Sequence, residues 1–357
     1  MAACAGLTLS TTMARAADPT GHGPATYVYV ANNISNNINV FRLDQQNGGL
    51  TAVQTMAVGG PVAPMALSVE SRRLYAAVRS QPYHVANYAI DPQDGKLSLL
   101  ADSPLSDSMA YLSLDKTGRY LFSASYGGNK FSVNPVGENG VAGATLQNVP
   151  TGPMAHSILP SPDNKYVFGA VLGADVWLRY KFDAETGQLS EQSTALSLPA
   201  KSGPRFFVYS DDQRFVYLTD ELDGKLHVMA FDAKHNTVTL VQSVSLLPEG
   251  FAGKPWGADL HLSPDGQFLY ASERTSSTLS GYRVDRHTGL LTRIGTWPTE
   301  TQTRGFNIAS SGRYLLSVGE KSGHISVYQI DANGALNSVG RYPVGDGANW
   351  ISLADFK

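Results

Sequence analysis

Apolar and polar positions along the chain fall into short runs of four to six residues separated by turn-forming clusters. The stretch from Gly203 to Phe231 contains one complete unit of this pattern. Phe206 to Tyr209 is apolar, Ser210 to Gln213 is a polar turn, Phe215 to Leu218 mixes aromatic and aliphatic residues, Asp223-Gly224 is a hairpin signal, and Leu226 to Phe231 is apolar again. Runs of this length bounded by Asp, Gly and Asn predict β-strands joined by tight turns, and no long stretch carries the 3.6-residue period of a helix.

The unit recurs from Tyr27 to the end of the chain. An aromatic or leucine in the middle of one strand anchors each copy: Tyr29, Tyr75, Phe122, Phe168, Tyr217, Tyr270 and Leu316, spaced 46, 47, 46, 49, 53 and 46 residues apart. Turns such as Pro162-Asp163-Asn164 and Pro264-Asp265-Gly266 precede the anchors, and Asp91 to Gly95, Asp183 to Gly187 and Asp285 to Gly289 follow the next strand. Seven such units predict an all-β, seven-bladed β-propeller over residues 24–357. The first unit begins at its second strand, while the chain ends in a surplus strand, Asn349 to Asp355. This C-terminal strand is therefore expected to close the first blade, leaving no open sheet edge in the ring.

Composition supports an all-β chain with many turns: 35 Gly, 17 Tyr, 42% apolar and 16% charged residues. A net charge of −3 gives no basic field, so neither nucleic acid nor an anionic membrane is expected as a partner. The single cysteine, Cys4, excludes a disulfide framework and a CxxC zinc site. Residues 1–23 read as a signal peptide or a disordered leader. Ala14-Arg15-Ala16 suits signal-peptidase cleavage, although a basic start is missing, so the periplasm or the exterior is the expected address, with the cytoplasm as the alternative. No stretch is long and apolar enough to span a membrane as a helix.

Equivalent positions in a propeller lie on one ring around its axis, which turns the repeat into a spatial argument. Twelve residues before the last six anchors stand Ala63, Ala110, His156, Arg205, Ala258 and Arg304, at the start of each innermost strand. Four residues after the anchors stand Arg79, Tyr126, Glu221, Arg274 and Glu320. Antiparallel pairing brings both sets to one mouth of the channel, with Asp259 and His261 just beyond Ala258. Strand-end Arg and Glu also form structural ion pairs between blades, and His261 also suits a core histidine braced by Asp259. No GxSxG elbow, HExxH or phosphate-cradling glycine loop is present, and Glu221, Asp259 and His156 form no compact metal motif, so no cofactor and no metal are expected.

Several phrases resemble the seven-bladed lactonase family, to which bacterial 6-phosphogluconolactonases belong. They are Gly203-Pro204-Arg205, Asp220-Glu221-Leu222, Ala258 to Gly266, Glu273-Arg274-Thr275, Pro298 to Asn307 and the closing Gly340 to Gly345. The resemblance covers Tyr27 to Lys357 and implies hydrolysis of a sugar lactone, phosphorylated or not; a propeller of this size is self-contained, so a monomer or weak dimer is expected. A related fungal carboxymuconate cyclase uses a His, Arg, Glu and Arg set, whose matching positions are His156, Arg205, Glu221 and Arg274. Arg205 with Arg304 or Arg274 would then stabilise the oxyanion, and Glu221 or His156 would act as general base. Arg304, Asp259, His261, Arg79 and Asn307 are expected to bind the substrate. The family usually places histidine after Gly-Pro-Arg, whereas Phe206 stands here, a departure that bears on the substrate rather than on the fold. A muconate-type cycloisomerase and a non-catalytic binding propeller are the alternatives.

Overall fold

The structure, a computed structural model, describes residues 25–356; the leader read in residues 1–23 lies outside the described residues. Seven four-stranded antiparallel sheets make up seven blades. Blades two to seven are consecutive in the chain, with innermost strands Val62–Ser68, Tyr111–Leu114, Ala155–Pro160, Pro204–Tyr209, Gly257–Leu262 and Thr303–Ile308. The first blade is shared. Its innermost strand is the C-terminal Ala348–Phe356, which pairs along Ala25–Asn32, as the surplus strand predicts.

Each anchor lies in the second strand of its blade, where both faces pack on neighbouring blades. The strands Tyr120–Ser125, Phe268–Glu273 and Tyr314–Gly319 are accordingly buried throughout, whereas the outermost strand Leu336–Pro343 is largely exposed. Burying one large side chain of this kind is worth roughly 1.5–3 kcal/mol. Four anchors are tyrosines for a further reason. Tyr29 Oη donates to the carbonyl of Gly95 (3.0 Å), Tyr75 to Gly140 (3.0 Å), Tyr217 to Gly289 (3.1 Å) and Tyr270 to Gly334 (2.8 Å). Each acceptor is the left-handed glycine of the next blade's outer turn, so a buried hydroxyl finds its partner across the blade interface.

The innermost strands share an irregularity that shapes the channel mouth. In four blades one residue is skipped in the pairing with the second strand: His156, Arg205, Arg304 and Asn349. In two others the skipped pair is Ala63-Pro64 or Ala258-Asp259. A bulge leaves its extra residue out of the ladder and re-aims the side chain. The mouth is pinned by a recurring bond in which the amide after the second strand donates to the carbonyl two residues before the bulge. Examples are Arg79 to Pro61 (2.8 Å), Glu221 to Gly203 (2.7 Å), Arg274 to Trp256 (3.0 Å) and Asn33 to Gly347 (3.1 Å).

Candidate active site

The bulges and the strand ends bring most of the predicted charged residues together. Glu221, after the second strand of blade five, is the hub: its Oε2 accepts from Arg205 Nε at 3.0 Å and from Arg274 Nη2 at 2.7 Å. Arg205 has no solvent exposure, and its Nη1 also donates to the carbonyl of Ala258. Arg274 Nη2 donates to Gly257 O at 2.8 Å, and its guanidinium lies 4.1 Å from the Trp256 ring centroid. Beside them Arg304 Nη1 meets Glu320 Oε1 at 3.2 Å, and Gln302 holds the other oxygen at 2.6 Å. Arg79 makes no ion pair among the described residues; its Nε donates to Ser108 Oγ at 3.0 Å. Four guanidiniums therefore face two carboxylates, and the mouth carries a surplus of two positive charges.

The electrostatics follow from this crowding. Burial alone would raise the Glu221 carboxyl, but Arg205 and Arg274 outweigh it and hold it below the usual carboxylate range. Arg205 is pulled down to about 9 by burial and by Arg274, against the opposing pull of Glu221, and stays charged at neutral pH. His156 is held well below its ordinary value by burial and then by Arg205, Arg304 and Arg274, so its imidazole is neutral at pH 7. Two buried polar atoms in this group have no protein partner, Arg205 Nη2 and His156 Nδ1. Buried polar groups are normally satisfied, so these two atoms stand out as open positions beside the charged cluster.

One residue deeper, the channel has an aromatic floor. Phe206 of blade five meets Tyr111 of blade three at 4.9 Å and Trp350 of blade one at 5.7 Å, and Tyr111 and Trp350 are 5.6 Å apart. Rings from three non-adjacent blades touch only across the axis, so they close the channel beneath the mouth. Phe206 also lies 4.2 Å below the Arg205 guanidinium and 5.2 Å from the His156 ring.

The remaining predicted residues lie at or below this floor. Asp259 accepts from the amides of Leu260 (2.9 Å) and Phe306 (3.3 Å) and stands 3.3 Å from His261 Nε2. Asn307 spends its amide on Ile351 O (3.3 Å) and the Ile308 N–H (2.8 Å). Asp259, His261 and Asn307 line the deeper channel and are separated in layer from the Glu221 cluster. Among the described residues no three His, Cys, Asp or Glu side chains gather where they could hold a metal ion.

Two further features are not visible in the repeat pattern. Asn349 is the bulge residue of the shared blade and occupies the ring position of Arg205; Gly347-Ala348-Asn349-Trp350 parallels Gly203-Pro204-Arg205-Phe206, a signal hidden because the strand lies at the far end of the chain. His227, in the third strand of blade five, is buried, with Nε2 2.7 Å from Asp220 Oδ2 and Nδ1 2.8 Å from the exposed Ser243 Oγ. Burial raises Asp220 to about 6, against the pull of His227. Despite its Ser-His-Asp composition this chain is a blade staple: blade one has Asn32, Asn39 and Thr55 linked across the same three strands.

Comparison with known proteins bears on the fold and the family. The model of the family "Lactonase, 7-bladed beta-propeller" matches residues 24–353. The chain is 42% identical to a 6-phosphogluconolactonase of Pectobacterium carotovorum, over 91% of this chain and 98% of that protein. It is 38% identical to a 6-phosphogluconolactonase of Serratia proteamaculans, over 91% and 98%. Among solved structures, the periplasmic gluconolactonase PpgL of Pseudomonas aeruginosa superposes with a TM-score of 0.86 at 26% identity, over 94% of this chain and all of that one. The chain belongs to the lactonase family of seven-bladed β-propellers.

Proposed function

We propose that this protein hydrolyses a six-carbon sugar lactone to the open aldonic acid at the mouth ringed by Arg205, Glu221, Arg274 and His156. The observation that carries this reading is that an unpartnered, buried Arg205 Nη2 and a neutral His156 imidazole belong to one cluster, both resting on the Phe206 ring. Ester hydrolysis needs a donor for the developing oxyanion and a base for water. Arg205 Nη2 supplies the first, in a site where one such donor is worth about 3–4 kcal/mol of barrier. His156 supplies the second, with a typical gain of about 10²–10⁴. Water oxygen attacks the carbonyl carbon as His156 takes its proton; the tetrahedral intermediate then collapses, the ring C–O bond breaks, and the leaving oxygen recovers the proton as a hydroxyl.

In this division of labour Glu221 is a positioning residue. Its Oε2 is shared by two guanidiniums, and a carboxylate held below its usual range is a weak base. Arg304 and Arg79 extend the cationic surface beyond the reacting ester. Arg79, free of a carboxylate partner among the described residues, suits an anionic substituent such as a 6-phosphate.

Acid release from glucono-δ-lactone and from its 6-phosphate, measured above the spontaneous rate with purified protein, tests the reading. Turnover favouring the phosphate ester fits the Arg79 assignment and a cytoplasmic metabolite. Preference for the neutral lactone fits an exported enzyme and removes Arg79 from substrate binding. A folded protein that opens neither lactone refutes the reading.

A further inference from the structure

Asn349 occupies in blade one the place that Arg205 occupies in blade five. Both are the residue skipped in pairing with the second strand, and both follow a left-handed glycine by two residues, Gly347 (φ 73°) and Gly203 (φ 70°). The carbonyls of those glycines accept the equivalent amides of Asn33 and Glu221. Asn349 is 1% exposed, and neither its Oδ1 nor its Nδ2 has a hydrogen-bond partner. Its backbone carbonyl oxygen lies 2.8 Å from where a Cβ on Gly305 would stand, which seats Asn349 beside Arg304 in the ring. The next residue, Trp350, belongs to the aromatic floor with Phe206 and Tyr111.

A buried primary amide with all four hydrogen-bonding positions unused is costly unless something fills it. The chemistry of the amide narrows what that is. A carboxylate or phosphate only accepts, so it would use Nδ2 and leave Oδ1 opposed to its charge; the four guanidiniums of the mouth already serve such groups. A hydroxyl both donates and accepts and satisfies Oδ1 and Nδ2 together.

We propose that Asn349 is a specificity-determining residue that reads a hydroxyl of the sugar portion of the ligand, distinguishing a polyhydroxy acid or its lactone from an unsubstituted one. The proposal rests on the functional reading above for its choice of ligand, and its test is a binding measurement that does not require turnover.

Calorimetric titration at pH 7 with gluconate and with pentanoate, a chain acid lacking hydroxyls, is performed on the wild type and on Asn349→Leu. Gluconate is expected to bind the wild type more tightly than pentanoate. In Asn349→Leu gluconate affinity is expected to fall roughly 10- to 100-fold, with pentanoate little changed. The melting temperature separates this from a structural role: an apolar near-isostere in place of an unsatisfied buried amide keeps or raises it, whereas loss of a structural contact lowers it. Gluconate affinity unchanged in the variant, as when the amide merely holds a water, overturns the proposal, as does an absence of gluconate binding to the wild type. If wild type opens no lactone yet shows this binding pattern, the hydrolase reading fails and the Asn349 assignment stands.

Discussion

Arg274 of blade six reaches across the blade interface to Glu221 of blade five, its Nη2 2.7 Å from Glu221 Oε2. The contact unites two repeats around a single carboxylate that also holds the fully buried Arg205. Replacing Glu221 by Gln leaves two guanidiniums enclosed with no compensating charge. Breaking a buried pair in this way costs about 3–5 kcal/mol, so chemical denaturation is expected to show a loss of that order. Where the protein still folds, kcat is expected to fall while the acid limb of the pH profile stays in place. An acid limb that vanishes in Glu221→Gln would make Glu221 the base and displace His156 from that role.

Phe206 stands where the resemblance to the family leads one to expect histidine, and the structure shows what the phenyl ring does. It floors the pocket, packing 4.2 Å from the Arg205 guanidinium and edge-on to His156, Tyr111 and Trp350. Phe206→His places a polar, protonatable ring against Arg205. The expected result is a shift in the ratio of kcat/KM for the 6-phosphate over the neutral lactone, in favour of the more anionic substrate, with a small loss of stability. An unchanged ratio would show that the floor does not sense the substrate.

The blade interfaces make a prediction of their own. Tyr29→Phe removes the hydroxyl that serves the Gly95 carbonyl while retaining the ring, and is expected to cost about 1–3 kcal/mol because the carbonyl is left without that partner. Activity at saturating substrate should be unaffected, since Tyr29 lies in the body of blade one. A melting temperature equal to that of wild type would show that the cross-blade bond contributes nothing.

These results also explain what could be read from the chain alone. The blade count, the anchors and the shared first blade follow from a repeat length and from a surplus strand, both of which are local patterns. His156, Arg205 and Arg304 stand out because a ring position that is alanine in three blades is polar in three others. Asn349 escaped because its unit is split between the two ends of the chain. Nothing in the sequence said that Tyr29 would bond to Gly95 rather than to its own blade, because the partner depends on the rotation from one blade to the next. The depth ordering that separates Asp259, His261 and Asn307 from the Glu221 cluster was equally hidden: an offset of one to three residues along an inner strand is a change of layer, and the aromatic floor between layers arises from blades one, three and five.

The assignment of His156 as general base is the central mechanistic claim, and its pH dependence has a definite sign. Burial and the neighbouring guanidiniums hold the folded-state pKa well below the ordinary 6.5, so the imidazole is neutral at pH 7. Its contribution to stability is likewise present above about pH 6.5 and is lost as the pH falls through the depressed value, because the unfolded chain then binds the proton more readily. The measurement that tests the account most directly is kcat/KM for the preferred lactone from pH 8 down to the onset of acid unfolding, for wild type and for His156→Gln, with melting temperatures alongside. The wild-type acid limb is expected below pH 6.5, and the variant is expected to lose roughly 10²- to 10⁴-fold in kcat together with that limb while remaining folded. A folded His156→Gln protein with wild-type turnover and an unchanged profile would contradict the mechanism.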